Sequence, residues 1–532
     1  MASSSSNDDH VDVDAKVLDR VNYETMTLEE IHTKLSTFLK RYNHFYNLNK
    51  EGREEKIVDF FIFDHFHTTM NPEWNKTLMH MSTEDLLDMS HYDTSHLTLP
   101  NDLVDFIHQC KEFSHIPSFS HKEQSTTTSH LPSILQKGMN PKKKHEVHIL
   151  SQFIRNLSKT TQCHTICDIG GGQGYLTQQI AIDQSMNHDS QISHIFTIDC
   201  NNKLTENARN RIQQIHNLLD RFDMKNNRTD YKAITSHLSF SLNDDEFNEI
   251  VHQLNNLLVI EDHSHNDNCC SHNDSSHTEE SFSHEFLIQS GVLLIGLHTC
   301  GPLASSIMKL FLQSTTTDVL VNVGCCYHKL TESTSFPLST LYKMDEIKLS
   351  NLGRSMACLN PYGWSRSNVK ECTEQFRLKS YRYVLQHMLC EICGYDRVNS
   401  VVVRQASKTQ SHTFGSFVFH TVMNLDDTTV KQLCEQEWMK QYGSIEFHTI
   451  ESHLNEYYCK FQPNDKQVIK EVEVCWFFRS LIGPVIEHYI LLDRLLFLRQ
   501  DPRIEVAYLT RVFDMAISPR GNVIVAIKKK KD

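Results

Sequence analysis

The sequence predicts an α/β fold in which parallel strands alternate with helices, preceded by a mainly helical region and interrupted by a large helical insertion before a C-terminal β-hairpin. Three features carry that expectation. The run CDIGGGQGYLTQQIA, Cys167–Ala181, reads as a buried strand that breaks into a glycine turn and reforms as a helix. A second apolar run, HIFTID, ends in an acidic residue, Asp199. Two further runs, VLLIGLHTCGPL with a strand candidate ending at His298 and DVLVNVGCCYH with one ending near Val323, flank a helix that carries Pro302 in its first turn.

Residues from Val11 to Ile134 read as helical. Thr27 and Glu30 have capping-box spacing ahead of an apolar stripe, Ile31, Leu35, Phe38 and Leu39, and Ser82 with Asp85 marks a second helix start. The Ser, Thr and His mixture from Ser114 to His130 reads as a linker. The expected organisation is a helical region over 1–134, an α/β core over 135–329, a helical insertion or substrate platform over 330–499, and a hairpin over 500–532. Strands are expected at Thr165–Ile169 and Ile195–Asp199, then ending at His298 and near Val323. A polar stretch over about 219–283 reads as a disordered insertion, and its histidines with Cys269 and Cys270 as low complexity rather than a ligand set. At the end, VAYLTRVFDMAISPRGNVIVAIKK gives two β-rich runs around a turn at Pro519–Asn522.

Gly170, Gly172 and Gly174 follow G-x-G-x-G, where missing side chains let the backbone turn tightly and approach a ligand. A dinucleotide fingerprint requires its last glycine where Tyr175 stands, so NAD is the weaker match. Asp168 before the turn and Asp199 at the next strand end instead match the cofactor loop of S-adenosylmethionine-dependent methyltransferases. Asp168, Gly170, Gly171, Gly172, Gly174, Asp199 and His298 are the candidate cofactor-binding residues, with Asp199 placed to accept from ribose hydroxyls. Ligands of open α/β sheets bind at the carboxyl ends of strands, so HTCG, His298–Gly301, and GCCYH, Gly324–His328, should border the same cleft.

With GMNPKKKHEV (Gly138–Val147), DIGGGQGYL, LHTCGPL, NVGCCYHKLT, LLDRLLFL and the SPRGN turn, the chain resembles the methyltransferase-like protein 25 family, with the related ribosomal RNA adenine dimethylase domain-containing protein, from Gly138 onward. The resemblance implies a class I, Rossmann-like, seven-stranded methyltransferase domain that binds S-adenosylmethionine. It does not specify the acceptor. Pro302 departs from the family, whose members more often carry Asp after the Cys-Gly pair.

Candidate catalytic residues are His298, Cys300, Cys325, Cys326 and Tyr327. His298 can take a proton from an acceptor or serve as a packed, hydrogen-bonded histidine. Asn322 and Tyr327 can present polar and stacking groups to a planar acceptor, or pack the core. Enzymes that methylate carbon 5 of cytosine in RNA carry cysteines after two neighbouring strands of such a sheet, which suggests a nucleophile and helper among Cys300, Cys325 and Cys326. The alternative is that these are small buried apolar residues. No metal site is expected, since Cys390 and Cys393 form a single C-x-x-C without a second pair. Neither G-x-S-x-G nor a phosphate loop occurs, which removes hydrolase and nucleotidase readings.

The 532 residues carry a net charge of -14, against a surface devoted to non-specific phosphate binding. Lys142–Lys144 and Lys528–Lys531 are local basic exceptions. The start is polar and acidic, unlike a signal peptide, and the most apolar runs are too short or carry charges inside. Sixteen scattered cysteines suit a reducing compartment. These features predict a soluble cytoplasmic protein, with the nucleus also open, and no membrane association. The expected activity is methyl transfer from S-adenosylmethionine to a macromolecular acceptor, RNA or protein, with the helical regions available to a protein partner. The alternative is a scaffold that binds the cofactor with weak or no turnover.

Overall fold

A computed structural model of the chain describes residues 26–47, 70–116, 136–186, 192–221, 230–235, 291–332, 334–359, 361–399, 410–461 and 467–530. Cys269 and Cys270, most of the polar insertion and most of the 114–130 linker lie outside them. The chain forms two compact units. One comprises residues 1–31, 116–345 and 490–532, and the other residues 32–115 and 346–489. This division differs from four consecutive segments, because helices on either side of the α/β core in sequence join one unit, while 330–345 and 490–499 join the other.

The first unit is built on one seven-stranded sheet with order β3-β2-β1-β4-β5-β7-β6. Its strands are β1 (Thr165–Ile169), β2 (His194–Asp199), β3 (Asp230–Thr235), β4 (Val292–Thr299), β5 (Thr317–Gly324), β6 (Ile504–Arg511) and β7 (Asn522–Lys528). Strands β1 to β5 run parallel, whereas β7 is antiparallel to both β5 and β6. Every residue of β1 is buried, as are the first six of β4, which is the near-continuous apolar pattern of a parallel strand covered on both faces. Ile166, Leu293, Ile295, Val321 and Val525 join one core with Leu150, Phe153 and Ile154 of the Pro141–Thr161 helix. That helix starts where sequence dictates: Asn140 Oδ1 accepts the Lys143 N–H at 2.8 Å and Pro141 fills the first turn.

Two expectations change. Strand β3 lies inside the stretch read as a disordered insertion. Its run DYKAIT sits at the sheet edge, where fewer apolar residues are needed. The C-terminal hairpin pairs as expected, but residues 512–521 form a ten-residue connection rather than a tight turn at Pro519–Asn522. The Val512 N–H donates to the Gly521 carbonyl at 2.8 Å, which closes that loop at its base.

A long helix spans Gln467–Arg499, and its last ten residues belong to the sheet-containing unit. There Asp493, fully buried, accepts the Leu338 and Ser339 N–H groups, each at 2.8 Å. Burial raises the Asp493 carboxyl pKa above its ordinary range, against the opposing effect of those two N–H donors.

The helical unit carries its own aromatic cores. Phe38, Tyr42 and Phe106 meet with ring centroids 4.8–6.0 Å apart, and Trp364, Phe376 and Trp476 with centroids 4.8–5.5 Å apart. The expected caps form at both sites read from sequence. Thr27 and Glu30 bond reciprocally, and Ser82 accepts the Asp85 N–H at 3.0 Å.

Removing the Asp493 carboxylate leaves two buried N–H groups without partners, at about 1–3 kcal/mol each. Asp493→Ala is expected to destabilise the protein by ~3 kcal/mol and Asp493→Asn by less. Urea denaturation of the full chain checks this; an Asp493→Ala midpoint equal to wild type contradicts it.

Candidate cofactor and acceptor site

The glycine turn follows β1 and is tied to the end of β2. The Gly170 and Gly171 N–H groups donate to the Ile198 carbonyl at 2.8 and 3.3 Å, and the Gly172 N–H donates to Asp199 Oδ2 at 3.0 Å. Gly170, Gly172 and Gly174 have φ of 74°, 60° and 70°, the left-handed region that favours glycine. At Gly171 a Cβ would meet Thr197 Cγ2 at 2.6 Å and Asp168 Oδ2 at 2.7 Å, so the turn packs directly on the carboxylate beneath it. At Gly172 a Cβ would meet nothing within 4 Å, so the space above the turn is open.

Asp199 Oδ1 also accepts the Asn201 N–H at 2.8 Å, and a carboxylate with four lone-pair sites retains capacity for a diol. Asp168 is 2% exposed and its Oδ1 has no hydrogen-bond partner. Burial pushes its carboxyl up to about 7, opposed by Lys143 and reinforced by Asp199. An open glycine cradle, a strand-end carboxylate and a buried orphan oxygen fit a nucleoside cofactor. Tyr175 has a packing role: the Arg211 guanidinium lies 4.3 Å from its ring centroid, and its hydroxyl comes 2.7 Å from where a Cβ on Gly138 would stand.

The β4 end holds His298 at φ 62°, strained for a residue with a Cβ. Its Nε2 lies 2.9 Å from Glu146 Oε2. Glu146 is 1% exposed, and its Oε1 accepts from the Ser518 hydroxyl at 2.7 Å. Burial alone would raise the Glu146 carboxyl, but the His298 hydrogen bond and charge outweigh it and hold the pKa below the ordinary value. His298 is therefore a hydrogen-bonded histidine with one-quarter of its side chain exposed. Glu146 escapes a motif search, yet a Glu beside Val147 on the stripe that continues to Leu150 is a signal of a buried partner.

Beyond β4 and β5 the structure brings the three cysteines together. Cys300 Sγ lies 3.1 Å from Cys325 Sγ and 3.4 Å from Cys326 Sγ, with 3.6 Å between the latter two. Hydrogen bonding from Cys325 lowers the Cys300 thiol pKa, and the same bond raises that of Cys325. Thr299 Oγ1 donates toward Asn322 Oδ1 at 3.2 Å and the Val323 carbonyl at 3.1 Å. Asn322 is buried and its Nδ2 has no partner.

Tyr327 takes the packing alternative. It is 1% exposed, with the Arg494 and Arg520 guanidinium carbons 5.5 and 5.9 Å from its ring centroid. Its ring supports the loop rather than offering a stacking face to an acceptor. The arginines were missed because Arg494 lies in an apolar helical run. Gly324 makes room for it, since a Cβ there would stand 2.5 Å from Arg494 Nη1. Cys390 and Cys393 pack against the apolar cluster of the helical unit.

Asp168 gives the site a pH signature. Its carboxyl titrates near 3.8 when unperturbed and at about 7 in the fold, so folding favours its protonated form. The contribution is fully present below about pH 4 and is lost as pH rises through about 7. Asp168→Asn keeps the neutral shape and is expected to gain up to about 4 kcal/mol on wild type above pH 7, with no gain in acid. Denaturation of both proteins across this range checks it; parallel stability curves contradict it.

Residues 142–333 match a family described as a methyltransferase domain. Two curated relatives carry the name "Probable methyltransferase-like protein 25". The Mus musculus protein is 28% identical over 253 residues, covering 45% of this chain and 38% of that protein. The Homo sapiens protein is 27% identical over 251 residues, covering 45% and 37%. The chain thus spans less than two fifths of the length of these relatives. Among solved structures, the methyltransferase domain of bacterial CtHen1-CN aligns at 13% identity over 33% of this chain and 64% of that one, with a TM-score of 0.18, too loose to bear on the site. The chain carries a methyltransferase domain and, over 45% of its length, is similar to methyltransferase-like protein 25.

Proposed function

We propose that this protein transfers a methyl group from S-adenosylmethionine to a macromolecular acceptor, RNA or protein. The observation that carries the reading is the open glycine turn whose Gly172 N–H is fixed by Asp199 at the carboxyl end of β2. When bound, the cofactor supplies an electrophilic methyl on a sulfonium. The chain's contribution is orientation in a water-poor cleft, which is the main help such an in-line displacement requires. Asp199 accepts from the ribose hydroxyls while still holding the Gly172 amide. Asp168, buried below the turn, sets the backbone that faces the cofactor.

The acceptor approaches from the ends of β4 and β5. Asn322, buried, accepts from the Thr299 hydroxyl and ties the two strand ends together. His298 is held through Nε2 by Glu146, which leaves Nδ1 as the atom able to receive an acceptor proton. The helical unit offers surface for a large substrate or a protein partner. A cytoplasmic or nuclear setting suits the fourteen described cysteines, which form no disulfide among the described residues. Among the described residues, no helix is long and apolar enough to cross a membrane.

Calorimetric titration of the full chain with S-adenosylmethionine and S-adenosylhomocysteine tests the reading. Wild type is expected to bind both. Asp199→Ala is expected to bind at least about tenfold more weakly, since a charge-assisted contact contributes ~1.5–3 kcal/mol. Gly172→Arg, placing a side chain over the cradle, should abolish binding while retaining the circular dichroism of the fold. No binding by folded wild type would reject the assignment in favour of a scaffold without cofactor.

A further inference from the structure

The cofactor cradle and the held histidine leave three thiols without a role. We propose that Cys300, Cys325 and Cys326 form a site for a thiophilic divalent cation, zinc foremost, at the carboxyl edge of β4 and β5. These ligands do not share a C-x-x-C motif; the register of two neighbouring strands brings them together, Thr299 standing opposite Gly324.

The geometry distinguishes a metal site from the alternatives. The three sulfur separations are 3.1, 3.4 and 3.6 Å. Sulfurs bound tetrahedrally to zinc at about 2.3 Å lie ~3.8 Å apart, so small outward movements would seat the ion. A disulfide requires about 2.05 Å and can engage only two of the three. Thiols are weak hydrogen-bond donors, so mutual hydrogen bonds alone give little reason to gather all three.

The loops that carry the ligands are already fixed. The Leu303 N–H donates to the Cys300 carbonyl at 3.2 Å, and the Lys329 N–H to the Cys326 carbonyl at 3.0 Å. Gly301, at φ 54°, brings the first loop so close to the second that a Cβ there would stand 2.7 Å from Lys329 Cβ. Charge also balances. Three thiolates around a dication carry one net negative charge, and Lys329, which adjoins the Cys300–Gly301 loop, carries one positive charge. Loading the ion exchanges each remaining S–H bond for a sulfur–metal bond and releases those protons to solvent.

Among the described residues, no histidine or carboxylate joins the three sulfurs within 4.8 Å of one another. Cys300 is exposed, Cys326 intermediate and Cys325 buried. The fourth coordination position therefore opens toward solvent on the Cys300 side, to be filled by water or by a heteroatom of an incoming molecule.

The test uses the full chain, reduced, stripped with a chelator and titrated with cobalt(II) chloride. The expected result is a sulfur-to-cobalt charge-transfer band in the near ultraviolet together with the visible bands of tetrahedral cobalt, both removed by one equivalent of zinc. Cys300→Ser and Cys326→Ser, chosen at the less buried positions, should each lose the band or bind cobalt at least about tenfold more weakly. A Cys269→Ser/Cys270→Ser variant should retain it. The proposal is overturned if reduced wild type gives no charge-transfer band, if both site variants keep it unchanged, or if it disappears in the Cys269→Ser/Cys270→Ser protein.

Discussion

A carboxylate withdrawn from water must be compensated by its neighbours or it destabilises the fold, and Glu146 draws that compensation from three separated parts of the chain. His298 at the end of β4, Ser518 in the loop between β6 and β7, and Lys142 one turn earlier on the same helix all reach it, the last at 3.6 Å. Removing one partner of a buried pair typically costs 3–5 kcal/mol. The helix that precedes β1, the strand that borders the cleft and the C-terminal loop are therefore mutually dependent. This dependence fixes the backbone of His298 in a left-handed conformation that its own side chain disfavours.

The sheet supplies the other half of the arrangement. Strand order reverses between β1 and β4, so the loops leaving their carboxyl ends diverge and open a crevice. The glycine turn enters that crevice from β1, with β2 contributing Asp199. The β4 and β5 loops enter from the opposite side with His298, the three cysteines and Asn322. Asp493 and Arg494, from the end of the long helix, lie behind these loops. The first binds the backbone at Leu338 and Ser339, and the second fills the space left by Gly324 and lies against Tyr327. The long helix thus carries two adjacent charged residues inward to hold the loops at this edge of the sheet.

Much of this was legible because local chemistry dictated it. The glycine turn is written in residues that alone tolerate its φ values, and β1, β4 and β5 are apolar runs that only a sheet covered on both faces would bury. Long-range pairings were less accessible. Glu146 and His298 are 152 residues apart, and the pair becomes visible only when β4 is placed beside β1. Strand β3 was hidden because an edge strand needs few apolar residues and this one lies in a polar stretch. Tyr327 could be read either way because its burial depends on Arg494 and Arg520, which reach it from a helix and loop far along the chain. The cysteine cluster lies between these cases: the strand-end placement was readable, the mutual contact of all three sulfurs was not.

Hydrogen exchange of the full chain with and without S-adenosylhomocysteine tests most directly whether this crevice is the cofactor site. Added protection is expected at residues 168–175 and 197–201 flanking the glycine turn, with lesser protection at 298–301 and no change across 410–461 of the helical unit. Binding that leaves the glycine turn unprotected, or that protects the helical unit alone, would contradict that assignment.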